Sequence, residues 1–188
     1  MSAAVVGLLL AAGAGRRMGR PKALVADESG TPWVLTSVRT LRAGGCASVR
    51  VVLGAAADDA RLALADEPVD VVVATDWAQG MGASLQAGLD GLADTHPEAT
   101  AVLVHLVDLP DVGADVLARV ADPAGPGVLA RAAYAGGPGH PVLLGRDHWA
   151  GVAAAVHADR GARDYLAARV VELVECGDLA TGRDVDSR

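Results

Sequence analysis

Five short apolar runs recur along the first two thirds of the chain, and apolar residues follow one another almost without interruption within each run. The runs cover residues 5–12, 49–53, 69–74, 101–107 and 128–132. Continuous apolar character indicates strands that are covered on both faces, because a strand with one exposed face would alternate between apolar and polar residues. The runs therefore predict a mostly parallel sheet with helices on both sides.

Helical patterns lie between the apolar runs. Thr31 and Pro32 are typical of an N-cap and a first helical position, and Gly44 with Gly45 is typical of a helix end. Further helices are predicted over residues 55–65, 83–93 and 114–120. Because βαβ crossovers are right-handed, this alternation predicts a three-layer α/β/α sandwich with a Rossmann-like sheet. Its ligand site is expected beyond the carboxyl ends of the strands.

The last third of the chain is less regular. Residues 136–145, with the sequence GGPGHPVLLG, predict an irregular loop that leads into a short strand. Residues 161–169 predict a helix, and residues 170–175 a final strand. A chain of 188 residues that is 52% hydrophobic is expected to form one domain with a full core.

Charge and composition narrow the class of ligand. The formal net charge is −7 and only 3% of residues are aromatic, which argues against a nucleic-acid surface. The N-terminal apolar run is too short to span a membrane, and its positive charges follow it, unlike those of a signal peptide. Cys46 and Cys176 are isolated, so neither a zinc site nor a disulfide framework is expected. A cytoplasmic setting without membrane contact is expected.

The first apolar run passes directly into a glycine-punctuated basic loop, LLLAAGAGRRMGRPK, over residues 8–22. Glycine lets backbone N–H groups approach an anion closely, and nearby cations add positive charge. The loop holds three glycines and four cations: Gly13, Gly15, Gly19, Arg16, Arg17, Arg20 and Lys22. This combination predicts a site for a nucleoside triphosphate.

The spacing of this loop argues against two other phosphate loops. A dinucleotide-binding strand would carry GxGxxG and an acid at the end of the second strand, whereas this chain has GAGRRMG and VVLGAAADD. Lys22 is not followed by serine or threonine, which excludes a Walker A loop. A nicotinamide-dependent oxidoreductase is therefore disfavoured.

Three aspartates are candidate metal ligands. Asp108 follows the fourth apolar run, where a doubly wound sheet places functional groups, although it could also cap the following turn. Asp184 and Asp186 are two residues apart near the C-terminus, so their side chains could share one face of an extended segment. Alternatively, both could lie in a solvated tail. Mg²⁺ needs only one or two carboxylates beside substrate phosphates.

Two further segments could contribute to a site. Gly80, Gly82 and Ser84 precede or open the helix after the third run, where free N–H groups could hold a phosphate or ribose oxygen; alternatively, Ser84 is an ordinary N-cap. His140 lies between glycines and a proline and could face a substrate, although a lone histidine is more often structural. His105, inside an apolar run, is expected in the core.

Together these motifs resemble the molybdenum cofactor cytidylyltransferases, a group of NTP transferases. LAAGAGRRMGRPK is similar to the family's opening motif, QGMGASLQAGL to its glycine and serine segment, VDLP to its metal-binding strand end, and GHPV and DVDS to its later motifs. The resemblance implies a nucleotide-diphospho-sugar transferase type of fold, with a nucleotide-binding half at about 1–110 and an acceptor-side half at about 111–188.

The resemblance also implies an activity, the transfer of CMP from CTP to the phosphate of a molybdopterin-type cofactor with release of pyrophosphate. The implied nucleotide-binding residues are Leu10, Ala11, Ala12, Gly13, Gly15, Arg16, Lys22, Gly80, Gly82 and Ser84. Arg16, Lys22 and Asp108 are the implied catalytic residues, His140 the acceptor contact, and Asp108 with Asp186 or Asp184 the Mg²⁺ ligands. Ala11 and Ala12 favour CTP over GTP, because guanylyl-transferring relatives carry LAGG.

The implied partners are a nucleoside triphosphate, a phosphorylated pterin, and a molybdoenzyme or its maturation factor. Guanylyl or other nucleotidyl transfer to a related phosphorylated acceptor remains an alternative. The closing motif is short, ending in Ser187 and Arg188, which leaves a catalytically silent nucleotide sensor as a further alternative.

Overall fold

A computed structural model describes residues 4–156 and 161–186 of the chain. Its centre is one seven-stranded sheet with the strand order β3-β2-β1-β4-β6-β5-β7. The strands are Ala4–Ala11 (β1), Ser48–Leu53 (β2), Asp70–Val73 (β3), Ala99–Leu106 (β4), Leu129–Tyr134 (β5), Gly137–Gly145 (β6) and Glu172–Glu175 (β7). Only β6 runs antiparallel to its neighbours.

Seven α-helices lie within the described residues. They are Trp33–Ala43 (α1), Ala57–Ala63 (α2), Met81–Leu89 (α3), Leu92–Thr95 (α4), Ala114–Ala121 (α5), Trp149–Ala155 (α6) and Arg163–Ala167 (α7). Short 3₁₀ turns cover Lys22–Leu24, Trp77–Gln79 and Arg146–His148. No helix in the described ranges is long and apolar enough to cross a membrane.

The core consists of two layers, one on each face of the sheet. Helices α1, α2 and α5 pack on one face through residues such as Val38 and Leu117. Helices α3, α4, α6 and α7 pack on the other through residues such as Leu85 and Val152. Alternate side chains of β1 and β4 enter the two layers, because both strands are buried on both faces. The predicted three-layer α/β/α fold is confirmed.

The structure differs from the predicted elements in three places. At 136–145 the predicted short strand is present, but it takes up the predicted loop as well and forms a nine-residue strand, β6, which pairs on both sides. The predicted helix at 83–93 begins earlier and is broken at Gly91, which takes a left-handed φ of 64° between α3 and α4. At the start of α1 the N-cap is Pro32 and not Thr31.

Helix α6 was not expected from the sequence. Its seven residues, WAGVAAA, are too short for a clear helical period, and Trp149 and Val152 supply only two buried positions. The final strand is confirmed at Glu172–Glu175 and the preceding helix at Arg163–Ala167. Both lie within their predicted ranges but are shorter.

A buried arginine ties the far edge of the sheet to the helices above it. Arg50, on β2, is 2% exposed and donates from Nε to Asp70 on β3 at 2.6 Å. Its Nη1 donates to the carbonyl oxygens of Gly88 and Asp90, at the end of α3. A buried guanidinium is stable only when its donors are satisfied, so Arg50 fixes the position of α3 against the sheet.

His105 makes the stability of the fold sensitive to acid. Its side chain is 1% exposed on β4, as expected from the sequence, and its Nδ1 has no hydrogen-bond partner within the described residues. Burial, together with the nearby His140, lowers the pKa of His105 to about 3. Between about pH 6.5 and pH 3, the unfolded chain therefore binds a proton that the folded chain does not.

The free energy of unfolding is therefore expected to fall on acidification below about pH 6.5, by up to about 1.4 kcal/mol per pH unit for this histidine. Urea denaturation at pH 7 and pH 5 measures the fall. In the variant His105→Leu, which removes the titrating group, the free energy of unfolding should decrease less between pH 7 and pH 5 than it does in the wild type. An equal decrease in both proteins would contradict the assignment.

Candidate functional site

The basic loop after β1 is folded by a glycine that no other residue could replace without movement. Gly15 has a φ of 57°, and a Cβ atom at this position would overlap the carbonyl oxygen of Arg20. The amide of Met18 donates to the Gly15 carbonyl at 2.9 Å, which closes the turn. Pro21 then caps the 3₁₀ turn that begins at Lys22. The loop thereby returns Lys22 to the end of the strand from which it started.

Lys22 lies between two of the predicted metal-binding aspartates. Its Nζ donates to Asp108 Oδ2 at 2.7 Å and to Asp186 Oδ1 at 2.6 Å. Asp108 follows β4, which neighbours β1 in the sheet, so the two strand ends bring these side chains together. The side chains of Lys22 and Asp108 are 16% and 17% exposed, whereas Asp186 is 45% exposed. The ammonium therefore lies at the mouth of the site rather than in the core.

A third carboxylate completes this cluster. Asp108, Asp184 and Asp186 each offer one oxygen atom, and these atoms all lie within 4.8 Å of one another. Three hard oxygen donors at this separation suit a divalent cation such as Mg²⁺ or Mn²⁺. The donor set therefore fits the metal that the sequence implies.

The C-terminal segment is not a solvated tail but is attached to the end of β4. The amide of Val185 donates to the carbonyl oxygen of Asp108 at 3.0 Å. Asp111 accepts from both the amide and the hydroxyl of Thr181, so Asp111 anchors this segment rather than capping α5. Ser187 and Arg188 lie outside the described residues. These bonds hold Asp184 and Asp186 beside Asp108.

Gly182 lets this segment pass over an aromatic ring. It has a φ of 64°, and a Cβ atom there would overlap the ring of Tyr134. Tyr134 in turn donates its hydroxyl to the His140 carbonyl at 2.7 Å. The glycine therefore lets the segment cross the ring of Tyr134 on its way to Asp108.

Gly182→Ala is expected to displace this segment and to strain its backbone by about 1 to 3 kcal/mol. Strain of this size should lower the melting temperature by roughly 2 to 4 °C per kcal/mol, and affinity for a divalent cation should fall because Asp184 and Asp186 are displaced. Titration with Mn²⁺ measures the affinity. Gly30→Ala is the control, since Gly30 also has a positive φ but lies in an exposed turn far from the cluster. Equal Mn²⁺ affinity in both variants would contradict this role for Gly182.

Electrostatics keep the cluster charged at neutral pH. Burial alone would lower the pKa of Lys22, but its hydrogen bonds and charge attraction to Asp108 and Asp186 outweigh burial, so the pKa lies above the ordinary value of 10.5. The hydrogen bond from Lys22, with its charge, lowers the pKa of Asp186. The ammonium and this carboxylate therefore both remain ionised.

A cleft of about 440 Å³ opens between the basic loop, the end of β4 and the start of α3. Most of the residues predicted to bind nucleotide line it: Leu10, Ala12, Gly13, Gly15, Arg16, Lys22, Gly80 and Ser84, together with Asp108. Ala11 and Gly82 are buried and do not line it. Asp186 lines an adjoining cleft of about 240 Å³ with Gly15, Arg16, Arg17 and Lys22.

The cleft also has lining residues that were not expected from the sequence. The largest are Trp77 and Met81, and only their position beside the predicted glycines could have indicated them. Ser84 lies one turn inside α3, whose N-cap is Gly80. The alternative reading of Ser84 as an N-cap is therefore wrong.

A smaller cavity of about 160 Å³ adjoins the cleft and contains His140. Leu10 and Met81 line both spaces. Burial and the nearby Arg131 lower the pKa of His140 to about 4, although Asp108 acts in the opposite direction. At neutral pH the imidazole is therefore uncharged, with one nitrogen that donates and one that accepts.

Comparison with known proteins identifies the family. Residues 7–173 match the model of the MobA-like NTP transferase domain. The chain belongs to this family. It is thus a member of a nucleotidyltransferase family, and its sheet is of the type found in those proteins.

Three relatives illustrate the range of this similarity. The chain is 39% identical over 193 residues to the nicotine blue oxidoreductase of Paenarthrobacter nicotinovorans, covering 97% of this chain and 92% of the relative. It is 32% identical to Rv0371c of Mycobacterium tuberculosis, with a TM-score of 0.76 over 100% of this chain and 95% of the other. A nucleotidyl transferase from Methanothermobacter thermautotroptrophicus shares the fold, with a TM-score of 0.81, 21% identity and coverage of 99% and 93%.

Two of these relatives carry descriptions that indicate different kinds of chemistry. Rv0371c has also been solved as a manganese complex, a structure that aligns at a TM-score of 0.75 and 29% identity over 97% of this chain and 94% of the other. The Paenarthrobacter protein is named as an oxidoreductase, the class of enzyme that the spacing of the basic loop disfavours. The manganese complex and the oxidoreductase name belong to two different relatives and indicate different kinds of chemistry.

Proposed function

We propose that this protein transfers a nucleoside monophosphate from a nucleoside triphosphate to the phosphate of an acceptor, with a divalent cation as cofactor. One observation carries the proposal, the position of the Lys22 ammonium within 2.7 Å of Asp108 and 2.6 Å of Asp186 at the mouth of a glycine-lined cleft. Phosphoryl-type transfer depends mainly on alignment and on the stabilisation of charge. This arrangement supplies cations and metal ligands at one point.

In the proposed reaction, an oxygen of the acceptor phosphate attacks the α-phosphorus of the triphosphate. The new P–O bond forms as the bond from the α-phosphorus to the bridging oxygen breaks, and pyrophosphate leaves with that oxygen. The attacking phosphate is already ionised, so no side chain needs to remove a proton. The backbone of Gly13 and Gly15 and the side chains of Arg16 and Lys22 bind the triphosphate and balance the charge of the departing pyrophosphate.

Asp108, Asp184 and Asp186 would hold the divalent cation, which we propose to be Mg²⁺. When bound, it would neutralise phosphate charge and polarise the α-phosphorus. The aspartates orient toward a single point because two of them already share the Lys22 ammonium. Gly80 and Ser84, on the opposite wall, would contact the nucleoside side of the substrate.

We further propose CTP as the nucleotide and a phosphorylated molybdopterin-type pterin as the acceptor. Ala11 and Ala12 support CTP through the resemblance to cytidylyl-transferring proteins. His140 would seat the acceptor from the smaller cavity, next to the cleft. We propose that residues 1–188 act as one unit, because all seven strands belong to one sheet.

A second candidate function is reduction of an aromatic acceptor with a nicotinamide donor. The identity of 39% with nicotine blue oxidoreductase over 97% of this chain favours it. Strand β2 ends at Leu53 and is followed by Gly54, so no acid is available there to bind the ribose of a dinucleotide. A nicotinamide nucleotide in the cleft would therefore lack this ribose contact.

One pair of assays separates these functions. The protein is incubated with CTP or GTP, Mg²⁺ and phosphorylated molybdopterin, and pyrophosphate release is measured. In parallel, NADH oxidation is followed with nicotine blue as the acceptor. Pyrophosphate release without NADH oxidation is the expected result. NADH oxidation alone would overturn the transferase proposal, and CTP binding with neither reaction would favour a nucleotide sensor.

A further inference from the structure

We infer that the smaller cavity binds a flat heteroaromatic ring with an anionic substituent, and that Arg131 and Arg163 are the side chains that bind the anionic group. The assignment of this ring to the acceptor rests on the proposed function. The binding of such a group by the cavity does not.

The cavity combines an apolar floor with a basic rim. Its floor consists of leucine and valine side chains from both the sheet and the helices: Leu10, Leu85, Val104, Val142, Leu144 and Leu166. Arg131, Arg163 and His140 are its polar side chains. Ligand sites commonly have this form, in which an apolar surface holds a ring and a few polar groups fix its orientation.

Arg131 is held in a fixed orientation by the neighbouring strand. It lies on β5 opposite Val142 of β6, so its side chain projects on the same face of the sheet as the cavity floor. Its Nε and Nη2 both donate to the Gly139 carbonyl, at 3.1 and 3.0 Å. Its Nη1 makes no hydrogen bond within the described residues. The guanidinium therefore has a donor available to a ligand.

Within the described residues, no carboxylate balances the positive charge of this rim. Among residues 4–156 and 161–186, no ion pair joins Arg131 or Arg163 to a carboxylate. Arg131 and Arg163 line the same cavity, and burial and the charge of Arg163 lower the pKa of Arg131. An anion between the two guanidiniums would offset both the burial of their charge and their mutual repulsion. Guanidinium groups bind carboxylate and phosphate especially well because their paired N–H donors match paired oxygens.

The imidazole of His140 lines the same cavity as Arg131 and Arg163. Burial and the charge of Arg131 keep it neutral at neutral pH. An uncharged side chain at this point adds no further positive charge to the rim. The two guanidiniums therefore determine which charge the cavity accepts.

The inference is tested by direct binding of two ring compounds that differ mainly in charge. The probes are pterin-6-carboxylate and the neutral 6-hydroxymethylpterin, and binding is followed through their fluorescence. The variants are Arg131→Met and Arg163→Met. Arg61→Met is the matched control, because Arg61 is an exposed arginine on α2, away from the cavity. CTP binding by thermal shift is measured in each protein.

The anionic pterin is expected to bind the wild type at least 10-fold more tightly than the neutral one, and either cavity variant should lose most of that preference while CTP binding stays unchanged. Arg163→Met changes an exposed side chain, so it tests the inference even if Arg131→Met fails to fold. Equal affinities in Arg163→Met and Arg61→Met, or no binding of either pterin by the wild type, would overturn the inference.

The two proposals can fail separately. If the wild type releases no pyrophosphate with any acceptor but binds pterin-6-carboxylate in an arginine-dependent way, the cavity inference stands and the transferase proposal falls. If pyrophosphate release proceeds in Arg131→Met and Arg163→Met with an unchanged KM for the acceptor, the transferase proposal stands and the assignment of the cavity to the acceptor falls.

Discussion

Asp108→Asn is expected to lower kcat for nucleotidyl transfer by about 100- to 1000-fold, an effect similar to removing one preorganised group that stabilises transition-state charge. Asp108 is the least exposed of the aspartates paired with Lys22 and follows the strand next to β1. Asparagine keeps the shape of the side chain but removes the charge that a divalent cation requires. The rate is measured as pyrophosphate release at saturating CTP and Mg²⁺.

The matched control is Asp115→Asn, which removes a carboxylate from the exposed first turn of α5. It should leave kcat unchanged. Thermal shift with CTP in the absence of metal separates a catalytic defect from a folding defect, since Asp108→Asn should still bind the nucleotide. A kcat within a factor of three of the wild type in Asp108→Asn would contradict the assignment of Asp108 as a metal ligand.

Lys22→Met is expected to have two opposite effects. It should lower kcat/KM for CTP by about 100-fold or more, because a charge-assisted contact to the triphosphate is lost. It should also raise the affinity for Mn²⁺ when no nucleotide is present. The ammonium currently neutralises part of a cluster whose three carboxylate oxygens lie within 4.8 Å of one another, so its removal leaves the cluster more negative.

Isothermal titration with Mn²⁺, and with CTP separately, measures both effects. Lys22→Arg keeps the charge and should retain the metal affinity of the wild type while it impairs catalysis less. Arg20→Met is a control for the loop, since Arg20 has no ion pair within the described residues. If metal binding weakened in Lys22→Met, the ammonium would be supporting the cluster rather than competing with a metal.

The sequence was sufficient to predict the layers of the fold, because the apolar runs that become β1, β2 and β4 are continuous and buried on both faces. It was also sufficient to bring Lys22 and Asp108 together, since a loop that returns to its own strand end must meet the end of the neighbouring strand. The full length of strand β6 was missed, because glycines and prolines at 136–141 normally disfavour a strand and predicted a loop there. Here they lie in its first half, and the buried residues 141–145 lie in the part that pairs with β4.

The docking of the C-terminal segment could not be predicted from local pattern. Its position depends on long-range contacts of Val185 with Asp108 and of Thr181 with Asp111, and on the ring of Tyr134 below Gly182. The basic rim of the smaller cavity was missed for a similar reason. A single arginine inside the apolar run LARAA was a visible signal for Arg131, but only the fold shows that Arg163 lies near it.

The shared wall between the cleft and the smaller cavity has a consequence for inhibitor design. Leu10 and Met81 contact both spaces, so one molecule with a cytidine diphosphate at one end and a carboxylated heterocycle at the other could fill both with a very short tether. A tether that matches the span raises the effective concentration of the second group to about the millimolar range. Such a bisubstrate compound should bind far more tightly than either half, and truncating Met81 to alanine should weaken it at the junction.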